Sequence, residues 1–254
     1  MILILGMPRS GTSKLCNILE SFGYNFKLNP DDLLDNIYLP HTQFYQSKKL
    51  HIEIGKTNAV KFERCTTNND NIVNLLNIDI IKEPYLLFLL NSIRHKIKKI
   101  ILIIRHPFET ISSSKNFLKL NNTDQQISYN EWNKYYLTFL EDIKDTPYII
   151  VNYNNFQYKY DYEINRIKTF LEINNEHNKN NTEKFQFINN YKYISEDIPS
   201  VTKYIYNNLI SEDKNKYDNI VKNYKNFINL KPNEKCFCNS GKKYKKCCNI
   251  TGNL

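Results

Sequence analysis

The sequence predicts an α/β fold, a parallel β-sheet with helices on both faces, followed by a small metal-binding tail. Three observations predict it. Short, continuously apolar runs rich in branched residues read as buried strands, and they alternate with helical patterns. The first run leads through a glycine-punctuated loop, "GMPRSGTS", into an amphipathic stretch. Four of the six cysteines crowd into thirteen positions, Cys236 to Cys248.

Taken in order, Ile2 to Leu5 is the first strand. Leu15, Ile18, Leu19 and Phe22 then recur at helical spacing, and Gly23 is a natural stop. Residues 24–76 are polar and show little periodicity beyond a weak helix at 70–76. "IDII" (78–81) predicts a strand ending at Lys82-Glu83-Pro84, with an apolar helix from Tyr85 to about Ile97. "KKIILIIRHP" holds the clearest strand of all. Pro107 suits the first turn of the helix carrying Ser112, Ser113 and Ser114. "YIIVNY" (148–153) predicts another strand, and a helix follows near 161–172. Helices near 200–210 and 213–229 close the domain. Lys231-Pro232-Asn233 reads as a linker, which divides the chain into a domain of residues 1–230 and a tail of 231–254.

Composition narrows the function classes. A chain of 254 residues with 41% hydrophobic content can bury a sizeable core. Of the formal charge of +9, the tail alone carries +5, so the main body is only weakly basic. That balance fits an anionic small-molecule ligand for the body; a protein or nucleic-acid partner would be argued from the tail. No apolar run approaches the ~18 residues that suggest a membrane span. A strand beginning at Met1 leaves no room for a leader, and a cytoplasmic address is the expectation.

A strand–loop–helix unit of this kind aims backbone N–H groups and a positive helix end at one point, which suits a phosphate. Gly6 and Gly11 keep the G-x-x-x-x-G spacing, but Thr12 stands where an ATPase loop has its lysine. Arg9 precedes the second glycine, and its fork suits bidentate contact with phosphate oxygens. Arg105 closes the strongest strand, where open α/β sheets place their ligand cleft. Ser113 follows eight residues later, so guanidinium and hydroxyl can hold a second phosphate. The plain alternatives are a tight turn that happens to use two glycines, and an arginine at a strand end beside a serine-rich helix.

On these residues the chain resembles sulfotransferases that use 3′-phosphoadenosine 5′-phosphosulfate (PAPS), the bacterial-type branch most of all. "GMPRSGTS" looks like their 5′-phosphosulfate loop and "RHPFETISSS" like their 3′-phosphate motif. "IIKEP", and "VNYNNF" followed by "RIKTFL", have looser counterparts. The resemblance implies a P-loop-like sheet. It puts the 5′-phosphosulfate on Arg9, Ser10, Gly11, Thr12 and Ser13, and the 3′-phosphate on Arg105 and Ser113. PAPS would be the co-substrate and the bisphosphate PAP the product. The absent loop lysine then has a reason, since transfer from this donor uses no nucleotide-bound magnesium.

Sulfuryl transfer needs in-line geometry and charge stabilisation. Lys82 is placed to reach the transferring group. Glu83 is the first candidate for the base that takes the acceptor's proton, and His41 the second. The acceptor, a hydroxyl or amine on a small molecule such as a sugar or lipid, is not legible in residues 24–76. No counterpart of the glycine- and lysine-rich C-terminal lid motif is present. Two other function classes stay open: a P-loop kinase or NTPase, which would lack both its lysine and an obvious magnesium aspartate, and a non-catalytic nucleotide-binding adaptor.

In the tail, "CFCNSGKKYKKCC" joins a CxC pair to a CC pair. Four thiolates from Cys236, Cys238, Cys247 and Cys248 can complete a tetrahedral structural zinc site with no core beneath it, and Gly241 permits the reversal. The flanking lysines partly balance its net charge of −2. The run resembles the SEC-C motif, which implies zinc and a docking role towards protein or nucleic acid.

Overall fold

Side chains of the strands alternate between two hydrophobic clusters, because successive residues of a strand point to opposite faces. The computed structural model describes residues 1–26, 30–34, 45–65, 69–121, 127–143, 145–173, 198–211, 213–228, 231, 233–236 and 242–246. Within them β1 (Ile2–Leu5), β2 (Ile80–Lys82), β3 (Lys99–Ile104) and β4 (Tyr148–Asn152) pair in parallel, in the order β2-β1-β3-β4. The register is continuous, with Leu3 opposite Ile81 and Ile100, and Ile101 opposite Ile149.

On one face Ile4, Ile80, Ile101, Ile103 and Val151 meet α1 (Thr12–Ser21) through Leu15, Ile18 and Leu19. Helices α7 (Asn155–Tyr158) and α8 (Tyr160–Leu171) complete that side through Phe156, Ile164 and Ile167. On the other face Leu3, Leu5, Leu102 and Ile104 meet the rest. These are α2 (Lys48–Gly55), α3 (Asp70–Leu75), α4 (Leu90–Ile93), α5 (Pro107–Asn121), α6 (Tyr129–Asp142), α9 (Ser200–Leu209) and α10 (Lys214–Ile228). Each of these branched side chains is fully buried, which stabilises the fold by about 1.5–3 kcal/mol apiece.

Two expectations are corrected. The strand expected at 78–81 lies at Ile80–Lys82, so Lys82 belongs to the sheet itself. The helix expected from Tyr85 to Ile97 is broken into 3₁₀ turns at Pro84–Leu89 and Arg94–Lys96 around the short α4. Residues Leu86 to Leu90 are all buried. With no polar side to give to solvent, the segment is buried in the core, and its first tight turn starts at Pro84. An unforeseen element is α6, which starts with a capping box: Ser128 accepts from the Glu131 N–H and the Glu131 carboxylate accepts from the Ser128 N–H. Likewise α2 starts on Ser47, whose hydroxyl accepts from the Leu50 N–H and donates to Asp32.

The chain leaves β1 towards β2 on one side and returns to β3 on the other. That reversal is the topological switch point, and the crevice beyond the strand ends there lies between the loops after β1 and β3. None of the described helices is long and apolar enough to cross a membrane.

Candidate active site

The loop after β1 is pressed flat against its neighbours. A Cβ at Gly6 would lie 2.5 Å from the Ile103 side chain and 2.8 Å from its carbonyl oxygen, so only glycine passes there. Gly11 has φ 100° and faces the ring of Tyr153, which a Cβ would meet at 2.2 Å. Between them Arg9 also takes a left-handed backbone, φ 73°, which costs roughly 1–2 kcal/mol for a residue with a side chain. The Ser10 N–H closes the turn on the Met7 carbonyl at 2.9 Å, and α1 follows directly from Gly11. A tight loop leading straight into a helix start is the arrangement that offers backbone N–H groups to an anion.

Arg9 and Arg105 share this site. Arg105 Nη1 donates to the Arg9 carbonyl at 3.3 Å, while Arg9 Nε donates to Ser113 Oγ at 3.3 Å. Glu109 orients Arg105 by accepting from its Nε at 2.9 Å, one helical turn away. The Arg105 guanidinium also lies 4.7 Å from the centre of the Tyr153 ring, the same ring that packs on Gly11. Strand ends, loop and α5 are thus tied together around two guanidinium groups.

A third cation comes from β2. Lys82 is 3% exposed, and its Nζ donates to Ser13 Oγ at 3.2 Å and to Gln46 Oε1 at 3.1 Å. Burial pushes its pKa down to about 8, and the charge of Arg9 adds to the effect. Gln46 turns its amide nitrogen the other way and donates to Glu83 Oε2 at 2.7 Å. Glu83 is fully buried; it also accepts from the Tyr85 N–H at 3.3 Å and lies 3.3 Å from His51 Nδ1. That carboxylate raises the pKa of His51 above the ordinary histidine value, against the effect of burial.

Of the residues singled out from sequence, Arg9, Gly11, Ser13, Lys82, Glu83, Arg105 and Ser113 therefore meet in one connected region. Ser10 and Thr12 are buried beneath the loop. His41, Cys238, Cys247 and Cys248 lie outside the described residues. Four participants were not foreseen. Glu109 had a signal, its i,i+4 spacing from Arg105 across a helix start. Gln46 and His51 had none, because only the fold brings them to β2. Tyr135, on α6, supports the whole: its hydroxyl accepts from the Gly6 N–H at 3.1 Å and donates to the Pro84 carbonyl at 2.8 Å.

Three cations converging with backbone N–H donors at a helix start fit a ligand with more than one anionic group. A family model described as sulfotransferase domain matches residues 1–246. A search of curated proteins gives no significant match.

Proposed function

The chain belongs to the sulfotransferase domain family, and from that premise we propose that it transfers a sulfuryl group from PAPS to a hydroxyl or amine on a small-molecule acceptor. The observation that carries this reading is the meeting of Arg9 and Arg105 at the ends of the neighbouring strands β1 and β3, with Ser113 accepting from Arg9. Two anion subsites side by side suit a nucleotide phosphorylated at both ends. Arg9, Gly11, Ser13 and the loop amides take the 5′ end, and Arg105 with Ser113 takes the 3′-phosphate. The donor supplies an activated sulfuryl group whose leaving oxygen belongs to the 5′-phosphate. Arg9 and the loop amides stabilise the charge that builds on that oxygen, and Lys82 stabilises the transferring group. The acceptor's proton goes to the hydrogen-bonded group around Glu83, which holds Gln46 and His51.

The tail is read as a zinc-stabilised docking appendage. Its support is that Cys236 is 4% exposed although the lysines around it are exposed. Lys235 pairs with Lys243 in an antiparallel bridge, and the Cys236 N–H donates to the Lys242 carbonyl at 2.7 Å, so the chain doubles back beside the first cysteine. That reversal suits two thiolate pairs closing on one metal. Cys236, Cys238, Cys247 and Cys248 would hold it, and the basic face would meet a protein or nucleic-acid partner.

Calorimetric titration tests the central claim. PAP is expected to bind more tightly than ATP with magnesium; the reverse order would favour a kinase. Arg105→Ala should weaken PAP by about 10–100-fold, the value of lost charge-assisted hydrogen bonds, while adenosine 5′-phosphate changes by about threefold or less. Ser113→Ala leaves Glu109 paired but also removes the acceptor of Arg9 Nε, so it should weaken PAP with milder selectivity. Equal losses for both nucleotides would remove the 3′-phosphate subsite.

A further inference from the structure

We propose that His51 and Glu83 form an acid–base dyad in which His51 takes the acceptor's proton and Glu83 holds the imidazole. The inference rests on the sulfuryl-transfer reading and assigns the proton that reading leaves with the group around Glu83.

The Glu83 side chain is 1% exposed and engaged by the Gln46 amide, the Tyr85 N–H and His51. A carboxylate so enclosed is badly placed to touch an incoming acceptor. His51 is not enclosed: its side chain is 35% exposed. Because Nδ1 faces the carboxylate, the neutral ring carries its proton there and presents its lone pair at Nε2. Nε2 has no hydrogen-bond partner among the described residues. Helix α2 fixes the backbone of His51, and that helix is capped by Ser47 and anchored through Leu50 and Ile54 in the core.

The dyad is also wired to the donor side. Ser13, in the first turn of α1, accepts from Lys82, Lys82 donates to Gln46, and Gln46 donates to Glu83. A single amide therefore separates the cation that meets the transferring group from the carboxylate that backs the base. In the step itself the acceptor oxygen or nitrogen forms a bond to sulfur. The bond from sulfur to the 5′-phosphate oxygen breaks, and its electron pair stays on that phosphate. The acceptor's proton moves to Nε2, the imidazolium is held by Glu83, and the half-exposed ring returns the proton to water. The groups that set its titration are Glu83, which raises it, and Lys82, which lowers it, with the Tyr85 ring 6.4 Å away.

The test uses the full chain, PAPS, and 2-naphthol or water as acceptor, together with the imidazole titration of His51 followed by NMR. His51→Ala should lower kcat by about 10²–10⁴-fold, the usual contribution of a general base, with PAP affinity within about twofold and partial rescue by added imidazole. Glu83→Gln should lower the His51 pKa and carry the acid limb of the kcat profile to lower pH. An imidazole titration that ignores Glu83→Gln overturns the dyad, as does an unchanged kcat in His51→Ala that still binds PAP. Loss of activity in Glu83→Gln with His51→Ala intact would make the carboxylate itself the base and also overturn it. A wild-type chain that fails to bind PAP strikes the sulfuryl-transfer reading first, and the base role falls with it.

Discussion

Lys82 shows how one side chain can set the pH response of a site. Its ammonium is buried against Ser13 and Gln46, and burial together with Arg9 brings its pKa down to about 8. An anion beside it favours the charged form, so binding near that pH takes up a proton. The sign follows: below about pH 8 the lysine is already charged and PAP affinity is flat. As pH rises through that value, affinity should fall, by at most about tenfold per pH unit. Lys82→Met should bind more weakly at pH 7 and lose the slope, which titration calorimetry across pH 7–9.5 would read directly. A wild-type slope that survives in Lys82→Met would assign the proton elsewhere. At this scale the sequence was informative where chemistry is local: Arg9, Lys82, Arg105 and Ser113 sit within short strand–loop–helix runs. It was silent on Gln46 and His51, which come from the polar stretch after α1 and reach Glu83 only through the packing of α2 on the sheet.

Helix α6 is the element that most changes the account. It is rich in Trp, Tyr and Phe, residues of modest helix propensity, and it packs a broad face, from Trp132 to Phe139, into the core. The readable signal was the capping box at Ser128 and Glu131. Its inner face carries Trp132, Tyr135, Tyr136 and Phe139, all fully buried. Two of their hydroxyls brace the sheet's ligand edge, Tyr135 between Gly6 and Pro84, and Tyr136 on the Ile103 carbonyl at 3.1 Å. Tyr135→Phe removes a hydroxyl that pairs two backbone groups and leaves both without it in the core. The expected cost is about 1–3 kcal/mol, seen as a lower urea midpoint at unchanged slope. Tyr158→Phe, at a residue 69% exposed, is the control and should stay within about 0.5 kcal/mol. The strands were easier to see than α6, because burial on both faces leaves an unbroken apolar run that no helix of this chain imitates for long. The broken segment after Pro84 is the exception, since an equally unbroken run there becomes 3₁₀ turns.

Across the whole molecule, stability and charge are divided differently. Among the described residues, both hydrophobic clusters are built from positions no later than Tyr224, and neither takes in Cys236. Of the tail's described side chains only Cys236 is buried, outside both clusters, while the tail carries +5 of the net +9. A structural zinc site supplies about 10–16 kcal/mol of folding energy in small peptides. The family match extends to residue 246, so the homology itself gives no boundary at residue 230. The physical division is nevertheless testable. Purified chain should carry about one zinc per molecule, and Cys238→Ser should carry far less. Chelation should speed proteolysis within residues 231–254, yet leave PAP affinity within about twofold and the main unfolding transition unmoved, since neither cluster takes in a described tail residue. A chelated chain that loses PAP binding would mean that the tail reaches the nucleotide and serves as the cover for which the body of the chain has no sequence motif.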